Sequence, residues 1–200
     1  MSTNVVSIND NNLIDDCISI LKQDGVLAVP TDTIYGLAAL VNTISIGTID
    51  DLFIWSKPTL TKEQLSTGDL LPGPVTLMFE RQSILPSYFN PDANQVALRI
   101  PNCQFMIELA QRLQEPIALT SANISNEPSA VCIQEFEALW PQIDLVIDGG
   151  LLTSNDRCGS TIVDLSEKGY FNIQRQGIDC ERIVKYLKEH CQLKEKNAVF

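Results

Sequence analysis

The sequence lacks several features that would assign it to particular classes of protein. It contains a single histidine, His190, so a Ser-His-Asp triad or a histidine-based metal site is not expected, and we predict no metal bound by the protein itself. No apolar run approaches the roughly 20 residues that a membrane helix needs. The first residues carry neither a basic region nor a signal-type apolar core. We therefore expect no membrane segment and a cytoplasmic location.

Paired cysteines and positive charge are also scarce. The six cysteines form no C-x-x-C pair, which argues against a zinc ribbon or a redox motif and predicts reduced thiols. The formal net charge is −11, whereas nucleic-acid affinity depends on neutralising phosphates with Lys and Arg. A lysine cluster near the C-terminus is a candidate RNA-binding patch, although a solvated helix face is the favoured interpretation. This cluster contains Lys185, Lys188, Lys194 and Lys196.

Short apolar runs that alternate with amphipathic stretches predict an α/β protein. The chain has 200 residues, enough for one domain with a sizeable core. Helical spacing of apolar residues occurs at 11–23, 48–55, 104–113, 131–140 and 180–191. Short strands are predicted at 26–29, 44–46, within 70–79, and at 96–101, 116–119, 145–150, 158–165 and 171–173.

Short polar side chains lie at the ends of three predicted strands. One group, residues 31–33, follows the apolar run 26–29, and two others lie at 120–126 and 159–161. Ligands of open α/β sheets bind beyond the carboxyl ends of strands, so these groups are candidates for a small-molecule site. Helix N-caps or ST-turns remain the alternative interpretation.

Two arginines accompany these polar groups. Arg99 lies inside an apolar strand, where it must be paired or bind an anion, unless the strand is at an edge and Arg99 faces water. Arg175 follows the last predicted strand. Hydroxyls combined with guanidinium groups suit an anionic ligand such as a nucleotide or an amino-acid carboxylate.

Six motifs in this order resemble the YrdC family, the threonylcarbamoyl-AMP synthases, over about residues 10–190. They are Pro30-Thr31-Asp32-Thr33-Ile34-Tyr35-Gly36-Leu37, Leu71-Pro72-Gly73-Pro74-Val75-Thr76-Leu77, Leu98-Arg99-Ile100-Pro101, Leu119-Thr120-Ser121-Ala122-Asn123-Ile124-Ser125, Gly159-Ser160-Thr161-Ile162-Val163-Asp164 and Ile173-Gln174-Arg175-Gln176-Gly177. Residues 136–142 and 145–150 look most similar to the animal YrdC-domain proteins. We therefore expect a single YrdC-like domain at 10–190, followed by a flexible tail at 191–200.

The resemblance implies a twisted, mixed parallel and antiparallel sheet flanked by helices, with a large concave cleft. It also implies a nucleotidyltransferase that converts L-threonine, bicarbonate or CO2, and ATP with Mg²⁺ into threonylcarbamoyl-AMP and pyrophosphate. Partner proteins of the family then transfer the threonylcarbamoyl group to tRNA, and some members bind double-stranded RNA.

The resemblance also implies roles for individual residues of the motifs. Four residues are implied to hold threonine: Thr31, Arg99, Ser121 and Ser160. Asn123 and Arg175 are implied to contact ATP, and Thr33 and Tyr35 are candidates for lining the cleft. No residue is assigned as an acid, a base or a nucleophile. A serine hydrolase built on Ser121 or Ser160 is disfavoured, because the chain lacks G-x-S-x-G.

One segment of the family pattern is missing. After Tyr-Gly-Leu the family has a helix that ends in Lys-x-Arg, followed by a proline and a strand, and the two cations help to hold the ATP phosphates. In this chain Asn42-Thr43 runs directly into Ile44-Ser45-Ile46-Gly47, as if a segment had been removed between Thr43 and Ile44. The alternative function is therefore a catalytically impaired YrdC-type module that binds RNA or a partner protein.

Overall fold

The computed structural model describes residues 4–85, 93–152 and 157–196, and at 41–43 it describes the backbone only. The helices are α1 (Leu13–Leu21), α2 (Ile49–Trp55), α3 (Lys62–Leu65), α4 (Gln104–Leu113) and α5 (Cys180–Glu189), with a 3-10 helix at Ile133–Gln142. The strands are β1 (Asn4–Ser7), β2 (Leu27–Val29), β3 (Gly36–Ser45), β4 (Ser56–Lys57), β5 (Val75–Arg81), β6 (Gln95–Arg99), β7 (Ile117–Ser121), β8 (Leu145–Asp148), β9 (Thr161–Asp164), β10 (Tyr170–Arg175) and β11 (Lys194–Glu195).

These strands form one mixed sheet, as predicted. Its order is β1-β8-β2-β3-β6-β5-β9-β10-β11, with β4 beside β5 and β7 beside β3. The pairs β1–β8, β2–β8, β3–β6, β5–β9 and β10–β11 are parallel, and the other pairs are antiparallel. Among the described residues, no helix is both long enough and apolar enough to cross a membrane.

Apolar helix faces and strands build three clusters of buried residues. One places Leu13, Cys17 and Leu21 of α1 against α4 and β2. The second lies under α2, α3 and α5 and includes Phe79 and Leu187. The third lies between the sheet and the 3-10 helix. Burial of apolar surface at about 25 cal/mol per Å² holds these layers together and fixes the strand ends.

Helix predictions held where apolar spacing was regular. The predicted helix at 104–113 is α4, and its C-cap Gln114 adopts a left-handed conformation at φ 59°. Residues 131–140 were predicted as a helix, and this prediction was wrong in type. The segment is a 3-10 helix over Ile133–Gln142 that is interrupted at Phe136, whose φ is −122° and ψ is 24°. Pro141 lies inside it and lacks the N–H that a regular α-helix would use.

Strand β3 contains a large register shift at the predicted interruption. Gly36–Ala39 pair antiparallel with β7 in regular order, and Ala39 lies opposite Ala118. Ile44 also pairs with Ala118, so residues 40–43 have no partner in this ladder. Ile44 and Ser45 additionally pair in parallel with β6. Four residues, 40–43, therefore connect the part of β3 that pairs with β2 and β7 to the part that pairs with β6 and β7. The family pattern has a helix at this point.

The C-terminal residues pack on the domain as far as they are described. Cys191 is 7% exposed, and Lys194–Glu195 pairs with Tyr170 and Phe171 of β10. Residues 197–200 of the expected tail lie outside the described residues. The domain boundary at residue 190 stays a prediction.

Candidate functional site

A cavity of about 250 Å³ opens beside the ends of the central strands. Its wall contains all four residues implied to hold threonine and one of the two implied to contact ATP. They are Thr31, Arg99, Ser121, Ser160 and Arg175. The structure therefore brings together residues from five separate motifs, because β3, β6, β5, β9 and β10 are neighbours in the sheet.

The loop after β2 is held by the hydroxyl of Thr31. Thr31 Oγ1 accepts hydrogen bonds from the backbone N–H groups of Thr33 and Ile34 at 3.1 and 3.2 Å, and donates to Ile34 O at 2.6 Å. This is an ST-turn of the kind proposed as the alternative interpretation, but it leads into a strand rather than a helix. Thr33 was expected to line the cleft; it is instead fully buried behind Arg99.

Arg99 is the most buried charge at the cavity, with only 8% of its surface exposed. Its Nη2 donates to Asp32 Oδ1 at 2.5 Å and to Thr33 Oγ1 at 3.2 Å. Its Nε lies 3.4 Å from Gly73 O, and Nη1 makes no hydrogen bond to a described residue. Burial lowers the pKa of Arg99, and the charge of Asp32 acts in the opposite direction. The alternative of an edge strand with Arg99 facing water was wrong, because β6 lies between β3 and β5.

Ser160 and Arg175 form the opposite part of the wall. Arg175 donates through Nη2 and Nε to Ser160 O at 2.8 and 3.2 Å. The hydroxyls of Ser160 and Thr76 lie 2.7 Å apart. A Cβ atom at Gly159 would lie 2.9 Å from Arg175 Nη2, so this guanidinium packs directly against the glycine. The two arginines and one carboxylate leave the site with a net positive charge.

Ser121 and Asn123 differ in position although one motif contains both. Ser121 ends β7 and lines the cavity. Asn123 does not line it. Its Nδ2 donates to Ile124 O and Glu127 O at 2.8 and 3.0 Å, which closes the loop after β7. Asn123 Oδ1 is buried and has no hydrogen-bond partner in the described part of the chain, so this amide retains an unused acceptor there.

Sequence reasoning missed two hydroxyls of the cavity. Thr76 lies on β5 and contacts Ser160, and Ser45 lies on β3 between two buried isoleucines. Ser45 is 1% exposed, and its Oγ has no hydrogen-bond partner among the residues that the structure describes. A hydroxyl inside an apolar strand was the available signal, because burying it without a partner is unfavourable. This Oγ has almost no exposed surface, so binding a polar ligand atom would require a movement of the side chain.

Tyr35 is fully buried and ties the loop after β8 to the site. Its hydroxyl donates to Gly150 O at 2.8 Å and accepts from Gly149 N at 3.0 Å. Burial raises the pKa of Tyr35 to about 12. Tyr35 lines the cavity, while its hydroxyl bonds to the backbone of the neighbouring loop.

Replacing Tyr35 with phenylalanine is expected to lower the free energy of unfolding by about 1–3 kcal/mol at pH 8, because two backbone groups lose their buried partner. Since its pKa is about 12 in the folded protein and about 10 when unfolded, the stabilising effect of the hydroxyl is present below pH 10. It is lost as pH rises from 10 through 12. Urea unfolding of both proteins across this range should show their difference narrowing. If the difference in free energy of unfolding between the two proteins stays constant up to pH 12, the Tyr35 hydroxyl does not have the stabilising role described here.

The fold and the site together define an α/β protein with an arginine-lined cleft at the strand ends of a mixed sheet. The family model Sua5/YciO/YrdC, which carries the description "Telomere recombination", matches residues 43–177. This chain belongs to that family.

Among its relatives are mammalian proteins named threonylcarbamoyl-AMP synthase. The mouse protein (Mus musculus) is 38% identical over 193 residues, covering 84% of this chain and 68% of the relative. The human protein (Homo sapiens) is 37% identical over 204 residues, covering 90% of this chain and 72% of the relative. The fold is also similar to the crystal structure of Sua5 from P. abyssi complexed with L-threonine, with a TM-score of 0.81 and 24% identity. That match covers all of this chain but only 64% of the archaeal chain.

The same alignments measure the missing segment. The human alignment extends over 204 residues but contains 90% of this chain, which is 180 of its 200 residues. The mouse alignment extends over 193 residues and contains 84%, which is 168. The human alignment therefore has 24 positions without a counterpart in this chain, and the mouse alignment has 25. The place of this segment is inferred from the register shift of β3 between Ala39 and Ile44.

Proposed function

We propose that this protein binds L-threonine in the cavity and forms threonylcarbamoyl-AMP and pyrophosphate from threonine, bicarbonate or CO2, and ATP, as a step in the threonylcarbamoyl modification of tRNA. The observation that carries the proposal is the convergence of Thr31, Arg99, Ser121 and Ser160 on one positively charged cavity. The mammalian synthases and the threonine complex of the archaeal Sua5 support the same assignment.

The carboxylate of threonine would be held by Arg99 Nη1, which has no partner among the described residues and belongs to a guanidinium fixed on its other side. Hydroxyl groups of Ser121, Ser160 and Ser45 are available for the remaining polar atoms of the amino acid. A cavity of about 250 Å³ accommodates an amino acid. The nucleotide would lie at the open side, near exposed Arg175. This arrangement accelerates the reaction by positioning the reactants and stabilising charge.

Mg²⁺ would enter with ATP and supply charge neutralisation of its phosphates. The described residues contain no group of three His, Cys, Asp or Glu that could hold an ion by itself. The unused Oδ1 of Asn123 is an available acceptor if the loop after β7 turns toward the nucleotide. We propose a cytoplasmic location, where the tRNA and the downstream transfer complex would be found.

Loss of the Lys-x-Arg segment favours a second function, a module that keeps the threonine cavity but turns over ATP poorly. RNA binding by the C-terminal lysines has less support. Lys188 pairs with Glu195 at 2.6 Å, and Lys196 pairs with Glu167 at 2.5 Å, so both charges are already neutralised locally. The impaired module would thus be a threonine-binding protein rather than an RNA-binding one.

Pyrophosphate release in the presence of threonine, bicarbonate and MgATP tests the proposal, alongside calorimetric titration with threonine alone and an RNA gel shift over a salt series. Threonine-dependent release supports the synthase. Threonine binding without release supports the impaired module. RNA binding without threonine binding would refute both.

Replacing Ser45 with alanine is expected to have opposite effects on stability and binding. Removing a buried hydroxyl without a partner should leave the free energy of unfolding unchanged or raise it by about 1 kcal/mol. If Oγ binds the amino acid, the Kd for threonine should rise about 5- to 10-fold, as for a lost neutral hydrogen bond. Thermal unfolding and calorimetry measure both quantities. Ser56→Ala is the control, because Ser56 is equally buried but donates to Leu52 O at 2.7 Å.

A further inference from the structure

The pair formed by Asp32 and Arg99 differs from the other ion pairs of the described residues in its burial. The side chains of Asp32 and Arg99 are 11% and 9% exposed, whereas in each other pair both partners are at least 31% exposed. A buried charge must be compensated, because its desolvation is costly. Asp32 does not line the cavity, so it is placed to act on Arg99 rather than on a ligand.

The geometry of the pair orients the guanidinium. Asp32 Oδ1 contacts Nη2, and Thr33 Oγ1 accepts from the same nitrogen. Because Nη2 and Nε are directed at protein atoms, the planar guanidinium can offer only Nη1 to a ligand. Asp32 Oδ2 is buried and has no partner within the described ranges, so the contact with Arg99 uses one carboxylate oxygen.

The second arginine makes this carboxylate necessary. The charge of Arg175 acts on Arg99 unfavourably, as desolvation does. Without Asp32, two guanidinium groups would lie at one small cavity with no carboxylate paired to Arg99. Arg99 would then move away from Arg175 or bind a solvent anion, and Nη1 would lose its fixed direction.

Resting on the proposed function, we infer that Asp32 is a positioning residue: it holds Arg99 so that Nη1 meets the carboxylate of the incoming amino acid. Asp32 itself does not touch the substrate. Removing the Asp32 carboxylate should therefore weaken the binding of ligands that carry a carboxylate and leave the binding of other ligands nearly unchanged.

Calorimetric titration of Asp32→Asn with L-threonine and with L-threoninamide tests this inference. The asparagine keeps the shape of the side chain and removes its charge. We expect the Kd for threonine to rise at least 10-fold and the Kd for threoninamide to change less than 3-fold. Asp32→Glu, which restores the charge, should recover threonine binding to within about 5-fold of the original protein. The matched control is Asp15→Asn, since Asp15 pairs with Arg112 on the surface and should change neither Kd.

Equal losses for both ligands, or unchanged or tighter threonine binding, would overturn the inference. If Asp32→Asn does not fold, the smaller Asp32→Ser, which leaves room for a water molecule, takes its place. Failure of both to fold while Asp32→Glu folds would assign Asp32 to folding and also overturn the inference. If the original protein binds neither ligand, the proposed function fails. If the original protein and its Asp32→Asn variant bind threonine equally well, only the inference about Asp32 fails.

Discussion

Arg99→Ala is expected to abolish threonine-dependent pyrophosphate release and to destabilise the domain. Removing one partner of a buried ion pair leaves the other uncompensated, and such changes cost about 3–5 kcal/mol. Here Asp32 would remain, with its side chain 11% exposed and no other side-chain hydrogen-bond partner among the described residues. At about 2–4 °C per kcal/mol for a domain of this size, the midpoint of thermal unfolding should fall by roughly 10 °C.

The effect on the reaction should exceed the effect on stability. The carboxylate of threonine would lose its cationic partner. In assays at temperatures below the midpoint of thermal unfolding, kcat/KM should therefore fall at least 1,000-fold. Arg99→Lys keeps the charge but loses the forked geometry, so an intermediate loss is expected. Arg112→Ala is the control, because it breaks an exposed pair with Asp15 and should change the midpoint by no more than 1–2 °C. Retained activity in folded Arg99→Ala would refute the threonine site.

Restoring the missing segment is expected to raise pyrophosphate release at least 100-fold. The insert would be the 24 residues of the human relative that have no counterpart here, placed between Thr43 and Ile44. The Lys-x-Arg of the family pattern would then supply two charge-assisted contacts to the phosphates, each contributing about 1.5–3 kcal/mol. The KM for ATP should fall, while the Kd for threonine should change little.

Two control inserts separate charge from architecture. One is the same segment with its Lys and Arg replaced by glutamine, and the other is a Gly-Ser linker of equal length. If the glutamine insert restores activity as fully as the original segment, the cations are not the missing element. If no insert improves release from an already active protein, the chain uses other groups for ATP.

Much of the architecture was predictable because it depends on local patterns. The apolar spacing of 104–113 predicted α4 at its observed bounds, and the apolar run after Pro116 predicted β7. The 3-10 helix at Ile133–Gln142 was not predictable in type, because its apolar spacing resembles that of an α-helix. Strands β1 and β11 were missed because both are short and mostly exposed, so neither shows an apolar run.

The residues of the candidate site were predictable from motifs, but their contacts were not. The sequence alone determined the α/β class, the polar strand ends and the resemblance that identified Arg99 and Ser160, because these follow from residue order. Only the tertiary structure decided that Arg99 is buried against Asp32, that Thr33 lies behind it and that Ser45 faces the cavity unpartnered. These contacts join residues far apart in the chain, and strand order and register, which no local pattern encodes, bring them together.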